Sequence, residues 1–408
     1  MPRHDPVQAL INTRREFGEH GGVCPSISRS STFTVMDPTI MPDIFAGLRG
    51  PDKGGCFLYS RHFNPTTDVL GRYLAAMEGT EDAVCTASGM AAISCTFLQI
   101  CRGGDHIVSS DTVYGGTHAL LESLLPTMGI ETTFVDPTDT AGFEAAITDR
   151  TRILFVETVA NPTLKVADIP ALARLAHDRG ITLVVDNTFT PIMVAPAALG
   201  ADIVVYSMTK FVNGASDLIA GVICASNEFV LELMGVHEGR VMLLGPTMDP
   251  RVAFDILQRL PHLHLRMREH GRRAMAMAER LEDLGVAVCY PGLQSHPQHE
   301  LLRSMRNDGY GYGGMLSIDC KTQDKAEELM SVLQNEENFG LMAVSLGYFD
   351  TLMSCSSSST SSEIPPEDQD RMGLSPGLVR ISVGLTGALR KRLVELERAV
   401  RKVGLAGG

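Results

Sequence analysis

The stretch LVVDNTFTPIMVAPAALGADIVVYSMTK, residues 183–210, holds two short apolar runs, Leu183–Asp186 and Ile203–Tyr206, and each leads directly into polar residues. Brief β-branched runs bounded by turn-forming residues read as buried strands. Outward from this stretch the same kind of run recurs at Ala83–Thr86, His106–Ser109, Thr132–Val135, Ile153–Glu157 and Val222–Cys224. Stretches of helical period lie between most of them, at Met90–Arg102, Gly116–Leu125 and Ile169–Arg179. Alternation of this kind over residues 66 to 225 predicts an α/β unit, a parallel sheet with helices on both faces. Ligands of such sheets gather at the carboxyl ends of the strands, so the residue closing each run is a candidate.

Beyond residue 250 the pattern changes. A long helical region, Arg251–Leu284, precedes strands near Val286–Tyr290 and Met315–Asp319 and a last helix, Arg390–Val403. We read three parts: an arm over residues 1–62 that lacks its own core, a large unit over 63–250, and a smaller α+β unit over 251–408. The arm is expected to lie on something else, such as another subunit. Ser354–Ser362 (SCSSSSTSS) is low-complexity and expected to be mobile, either as a linker or as a lid.

Composition excludes several classes. A formal charge of −13 over 408 residues repels a phosphate backbone, and Lys and Arg form no basic block, which argues against nucleic acid. No window holds eighteen apolar residues free of charge, so no membrane span is expected. The opening MPRHDPVQALINTRREFGEHGG turns charged before a signal-length apolar run develops, which makes the cytoplasm the expected compartment. Nine cysteines form no C-x-x-C pair and read as buried free thiols in a reducing setting.

The chemistry concentrates at the strand ends. Asp186 and Lys210 end neighbouring apolar runs and would share one cleft. A carboxylate there can hold a pyridine nitrogen protonated, and a lysine in apolar surroundings can lose its proton and form a Schiff base. The residues alone leave a merely solvated pair open. Ser88, Gly89 and Met90 stand where a strand turns into a helix, which suits either an anion site, with Ser207 and Thr209 adding hydroxyls, or a plain N-cap. Tyr114 follows a strand and reads as a ring that stacks on a planar cofactor and carries a proton, or as a core tyrosine. Tyr59 and Arg61 suit a phosphate, or the surface. Arg380 is a lone cation in the apolar run GLVRISVG, where a substrate carboxylate or an internal salt bridge would partner it.

Three rival patterns fail on context. Ser207-Met208-Thr209-Lys210 fits S-x-x-K, but neither S-D-N nor K-T-G occurs. Residues 309–314, GYGYGG, fit G-x-G-x-x-G yet precede a strand and read as a turn. The pairs His262/His264 and His296/His299 lack further ligands and read as structural, so no metal is expected.

In order along the chain, YSRHFNPT, TASGM, YGGT, ETVANPT, VVDNTF, SMTKFVNGASD, AVSLG and LVRISVG resemble the Cys/Met-metabolism family of fold-type I pyridoxal-phosphate (PLP) enzymes. RREFGEHGGV, YGGTHALL, LLGPTM, SHPQH and SLGYFDTLMSCS are most similar to its plant-type methionine γ-lyases. The resemblance implies a large domain with a mostly parallel seven-stranded sheet, a smaller C-terminal domain, and a homotetramer built from active dimers. It implies Lys210 as Schiff-base lysine and proton shuttle, Asp186 on the pyridinium nitrogen, and Tyr114 stacked on the ring and donating to the departing thiol. Ser88, Gly89, Met90, Ser207 and Thr209 would hold the phosphate, with Tyr59 and Arg61 from a neighbouring subunit. Arg380, Ser345 and Asn161 would bind the substrate carboxylate. The implied reaction is α,γ-elimination of L-methionine; the alternatives are γ-replacement on an O-acylhomoserine, cystathionine cleavage, or a non-catalytic scaffold, against which Lys210, Asp186 and Tyr114 argue. Two departures bear on substrate: Gly116 stands where many bacterial methionine γ-lyases have cysteine, and residues 214–217 read GASD in place of GHSD.

Overall fold

The computed structural model describes residues 4–14, 18–51, 55–355 and 374–406. Seven strands form the large sheet: β1 (Asp82–Thr86), β2 (His106–Ser110), β3 (Glu131–Val135), β4 (Thr151–Glu157), β5 (Thr182–Asp186), β6 (Ile203–Ser207) and β7 (Gly221–Ala225). Their order is β1-β7-β6-β5-β4-β2-β3, all parallel except β7, which runs antiparallel to both neighbours. Each predicted run is a strand, extended by one or two residues.

Alternation along the strands explains why the runs look continuously apolar. Leu154, Val156, Leu183, Val185 and Val204 face one buried cluster, and Ile153, Phe155, Val184, Ile203 and Val205 face another on the opposite side. A sheet covered on both faces needs apolar residues at every position. The covering helices start and stop on local signals. Asn64 accepts from the Thr66 amide at 2.9 Å to cap the helix Pro65–Glu78, and Gly79, at φ 90°, ends it.

The second sheet has order β10-β11-β12-β9-β8, built from β8 (Val288–Cys289), β9 (Met315–Asp319), β10 (Leu341–Met342), β11 (Leu352–Cys355) and β12 (Leu378–Ser382). Its own core includes Leu316, Ile318, Met353, Val379 and Ile381, packed under the helices Leu263–Asp283, Gln323–Asn335 and Leu389–Lys402.

Several expectations change. The region Arg251–Leu284 is two helices, Pro250–Arg259 and Leu263–Asp283, because Pro261 lacks an amide proton and forces a tight turn at Leu260–His262. Gly116–Leu125 begins as the helix Gly115–Ala119 and continues as a wider π turn over Leu120–Leu124. Strands β10, β11 and β12 were not foreseen. Ser354 and Cys355 are buried in β11, while residues 356–362 of the serine-rich segment lie outside the described residues. In the first sixty residues, the helix Pro6–Thr13 packs on its own chain: Leu10 is buried and His4 Nε2 lies 2.9 Å from the Met77 carbonyl. Val23 and Met36, at 90% and 91% exposure, are open to solvent. Among the described residues no helix is long and apolar enough to cross a membrane, and no cluster of His, Cys, Asp and Glu is arranged to hold a metal. His296 and His299 bond locally, to the Gln298 amide and the Pro291 carbonyl, and residues 309–314 turn into β9 on glycines of positive φ. Among the described residues, which include all nine cysteines, there is no disulfide; Cys24 is exposed and six are buried.

Candidate active site

The carboxyl edge of the large sheet and the face of β12 enclose a cavity of about 220 Å3. Ser88, Gly89, Met90, Tyr114, Asn161, Asp186, Ser207, Thr209, Lys210 and Arg380 line it and Ser345 reaches it through Lys210 Nζ, so eleven of the thirteen residues of the expected site, all but Tyr59 and Arg61, are drawn from seven chain segments to this one place.

The anion end is built from backbone. Ser88 caps the helix Gly89–Ile100 by accepting from the Ala91 amide at 3.1 Å, so its hydroxyl does what an N-cap does. The first-turn amides of Gly89 and Met90 have no acceptor within a helix, and both residues line the cavity at the positive end of the helix dipole. Gly89 is there because the helix end abuts β6: a Cβ would sit 2.6 Å from the Ser207 Cβ. Thr209 both accepts from and donates to the Ala220 backbone, which fixes the turn that carries Lys210.

Lys210 Nζ donates to Ser345 Oγ at 3.1 Å. Burial and the nearby Arg380 charge bring its pKa down to about 8, so a neutral amine is accessible near physiological pH. Asp186 is 8% exposed and accepts from the Thr188 amide at 2.9 Å. Burial pushes its carboxyl up, and among the described residues no salt bridge involves it. A buried carboxylate in that position fits a cationic ring nitrogen as its partner.

Arg380, 2% exposed, donates from Nη1 to Asn161 Oδ1 at 2.8 Å and from Nη2 to the Ser345 carbonyl at 3.4 Å. Burial lowers its pKa to about 10, which leaves it charged at neutral pH. Tyr114, 43% exposed, lies at the cavity wall, and a Cβ on Gly116 would meet its ring at 2.6 Å. The ring therefore occupies the space that a side chain at 116 would take. Tyr59 and Arg61 are not brought to the cavity of their own chain; the guanidinium lies 5.2 Å from the Tyr59 ring centre, and Tyr59 is half exposed.

Residues 7–389 match the family described as Cys/Met metabolism PLP-dependent enzyme. The chain belongs to that family. It is 56% identical over 397 residues to a methionine gamma-lyase of Arabidopsis thaliana, spanning 97% of this chain and 90% of that one. The structure is similar to a cystathionine gamma-lyase of Lactobacillus plantarum solved with L-serine, with TM-score 0.86 and 28% identity over 98% of this chain and 99% of that one. It is similar as well to a Campylobacter jejuni protein named as an O-acetylhomoserine (thiol)-lyase and solved with N'-pyridoxyl-lysine-5'-monophosphate, with TM-score 0.89 and 25% identity over 97% and 100%. The cavity holds the start of a helix, a buried carboxyl group and a lysine, groups whose chemistry suits a phosphate, a ring nitrogen and an aldehyde.

Two polar residues of the cavity wall, Glu157 and Thr188, are absent from the expected site. Glu157 ends β4 beside Asp186 at the end of β5 and lines the same cavity. The signal was present, since LFVE closes on a carboxylate just as LVVD does. Thr188, which donates nothing obvious in sequence, accepts from the Ser207 amide at 2.9 Å and so ties the end of β6 to the Asp186 loop.

Proposed function

We propose that this protein is a PLP-dependent carbon–sulfur lyase that converts L-methionine and water to methanethiol, 2-oxobutanoate and ammonia. The observation that carries the reading is the 56% identity, over almost the whole chain, with the Arabidopsis methionine gamma-lyase. The cavity supports it by placing Lys210, Asp186, Tyr114 and Arg380 around one space.

When bound, PLP supplies a protonated ring that withdraws electrons from the substrate's Cα. The rest is done by the chain. The Arg380 guanidinium binds the substrate carboxylate, oriented by Asn161 Oδ1 and the Ser345 carbonyl. The Gly89 and Met90 amides would hold the cofactor phosphate with the Ser207 hydroxyl and with the Thr209 hydroxyl turned from the Ala220 carbonyl, and Asp186 would keep the ring nitrogen protonated. Lys210 Nζ, positioned by Ser345 Oγ, would take the proton at Cα, hand it back, and, neutral again, take one at Cβ. Tyr114 Oη gives a proton to the departing sulfur.

Tyr59 and Arg61 reach the phosphate of a neighbouring copy, which makes the working unit a dimer, and two such dimers pair into a homotetramer, as the family resemblance implies. Nine cysteines with no disulfide suit the cytoplasm. Similarity to the Campylobacter protein supports a second reading, γ-replacement on an O-acylated homoserine by the same residues.

Turnover of the purified holoenzyme with L-methionine alone, then with O-acetylhomoserine plus a thiol, separates the two. Oxobutanoate from methionine alone is expected; thioether formed only from the acylated substrate would overturn the lyase assignment. Lys210→Ala should abolish both products and the covalent label left by borohydride.

A further inference from the structure

Strands β4 and β5 are parallel and in register, with Glu157 paired to Asp186, so both carboxylates leave the same edge of the sheet. Glu157 is 6% exposed, and among the described residues it has no salt bridge. Two acids side by side in a buried wall are costly, and a packing role alone would be served by an apolar residue. What the carboxylate does is accept twice. Oε1 takes the Tyr114 amide at 2.7 Å, and Oε2 takes the Asn161 amide at 2.9 Å. The first donor heads the turn that presents the Tyr114 ring. The second belongs to the residue whose side chain receives Arg380 Nη1 at 2.8 Å.

We propose that Glu157 is a positioning residue that ties the proton-donor side of the site, through Tyr114, to the carboxylate-binding side, through Asn161 and Arg380. The inference rests on the roles given to Tyr114, Asn161 and Arg380 above and extends them to a residue that need touch neither substrate nor product. Its chemistry requires an acceptor at both oxygens. Glutamine has the same shape but one donor end, so in either orientation an NH2 group faces a backbone N–H.

The test uses the holoenzyme and L-norleucine, an amino acid with the reach of methionine and no leaving group at Cγ, with binding read from the absorbance change of the Lys210-bound cofactor. Glu157→Gln should weaken norleucine by about tenfold, the scale of leaving one buried backbone N–H without its acceptor. In an Asn161→Ala background, where the side-chain contact to Arg380 is already gone, the same substitution should cost less than about threefold, because residues acting through one path are not additive. Affinity within about twofold of the parent, or equal losses in both backgrounds, would overturn the inference. Should Glu157→Gln not fold, Glu157→Asp keeps the carboxyl group while withdrawing it by one methylene from both amides. It should weaken norleucine at least about threefold with the cofactor still bound, and an unchanged affinity would overturn the inference equally. Norleucine binding by the parent needs no elimination chemistry, so a failure of the lyase assignment would appear in methionine turnover and leave this comparison readable.

Discussion

Gly347 ties the second sheet's side of the cavity to the catalytic turn, and replacing it with alanine should damage the site in a way the structure quantifies. Its φ is +76°, in the left-handed region, and an added Cβ would lie 2.7 Å from the Lys210 carbonyl carbon and closer still to the Phe211 amide nitrogen. Both obstacles are backbone, so neither can swing aside. Moving the Lys210 carbonyl carbon from 2.7 Å to the 3.4 Å at which ordinary contact begins requires a shift of about 0.7 Å. The left-handed conformation costs about 1–2 kcal/mol for alanine. Overpacking adds about 1–3 kcal/mol. A misplacement of about an ångström at a reacting group is worth up to about a hundredfold in rate. Gly347→Ala should therefore lose about 2–5 kcal/mol of stability and about ten- to a hundredfold in kcat. The control is Gly309→Ala, at φ +89° with nothing within 4 Å of its Cβ, which pays the backbone strain alone. Thermal unfolding and steady-state turnover of both variants decide the matter. If the two lose the same stability, and Gly347→Ala keeps parental kcat, contact between residue 347 and the Lys210 turn does not govern the site.

Arg380→Lys keeps a positive charge but gives up the planar fork that reaches Asn161 and Ser345. Its KM for the amino acid should rise about thirtyfold, the equivalent of about 2 kcal/mol of charge-assisted bonding, with a smaller fall in kcat. An unchanged KM would place the carboxylate elsewhere. A third expectation concerns stability alone. Glu78 lies buried beneath the sheet, accepting from Tyr206 Oη and the Ala197 amide, and burial pushes its carboxyl up to about 8. A raised folded-state pKa means the folded chain holds a proton that the unfolded chain releases. Stability is then greatest below the unfolded value and declines as pH rises from about 4.5 to about 8. Relative to Glu78→Gln, the parent should lose about 1.4 kcal/mol per pH unit within that window in denaturant titrations, and parallel pH profiles would show that Glu78 stays ionised throughout.

How much of this was legible in sequence depends on what kind of information each feature carries. The seven strands of the large sheet stood out because both faces are covered, so Leu183–Val185 or Ile203–Val205 had no polar position to blur the run. Strands of the second sheet are harder to see. β10 has two residues and β11 opens the serine-rich segment, while β12 is interrupted by Arg380. That interruption was informative about the site at the moment it hid the strand, since a lone buried cation in an apolar run demands a partner. Lys210 and Asp186 were visible because strand ends are where a parallel sheet binds, and one rule located both. The same rule applied to Glu157 and was not used, because a carboxylate beside another carboxylate suggests no ligand until its backbone donors are known. Those donors are set by the path of two loops: the Tyr114 amide is 43 residues from Glu157 in sequence, and Asn161, which supplies the other amide, receives Arg380 from 219 residues away. Sequence patterns report which side chains are out of place in their local run. They do not report which backbone amides converge on a side chain, and residues that act by positioning others are defined by that convergence.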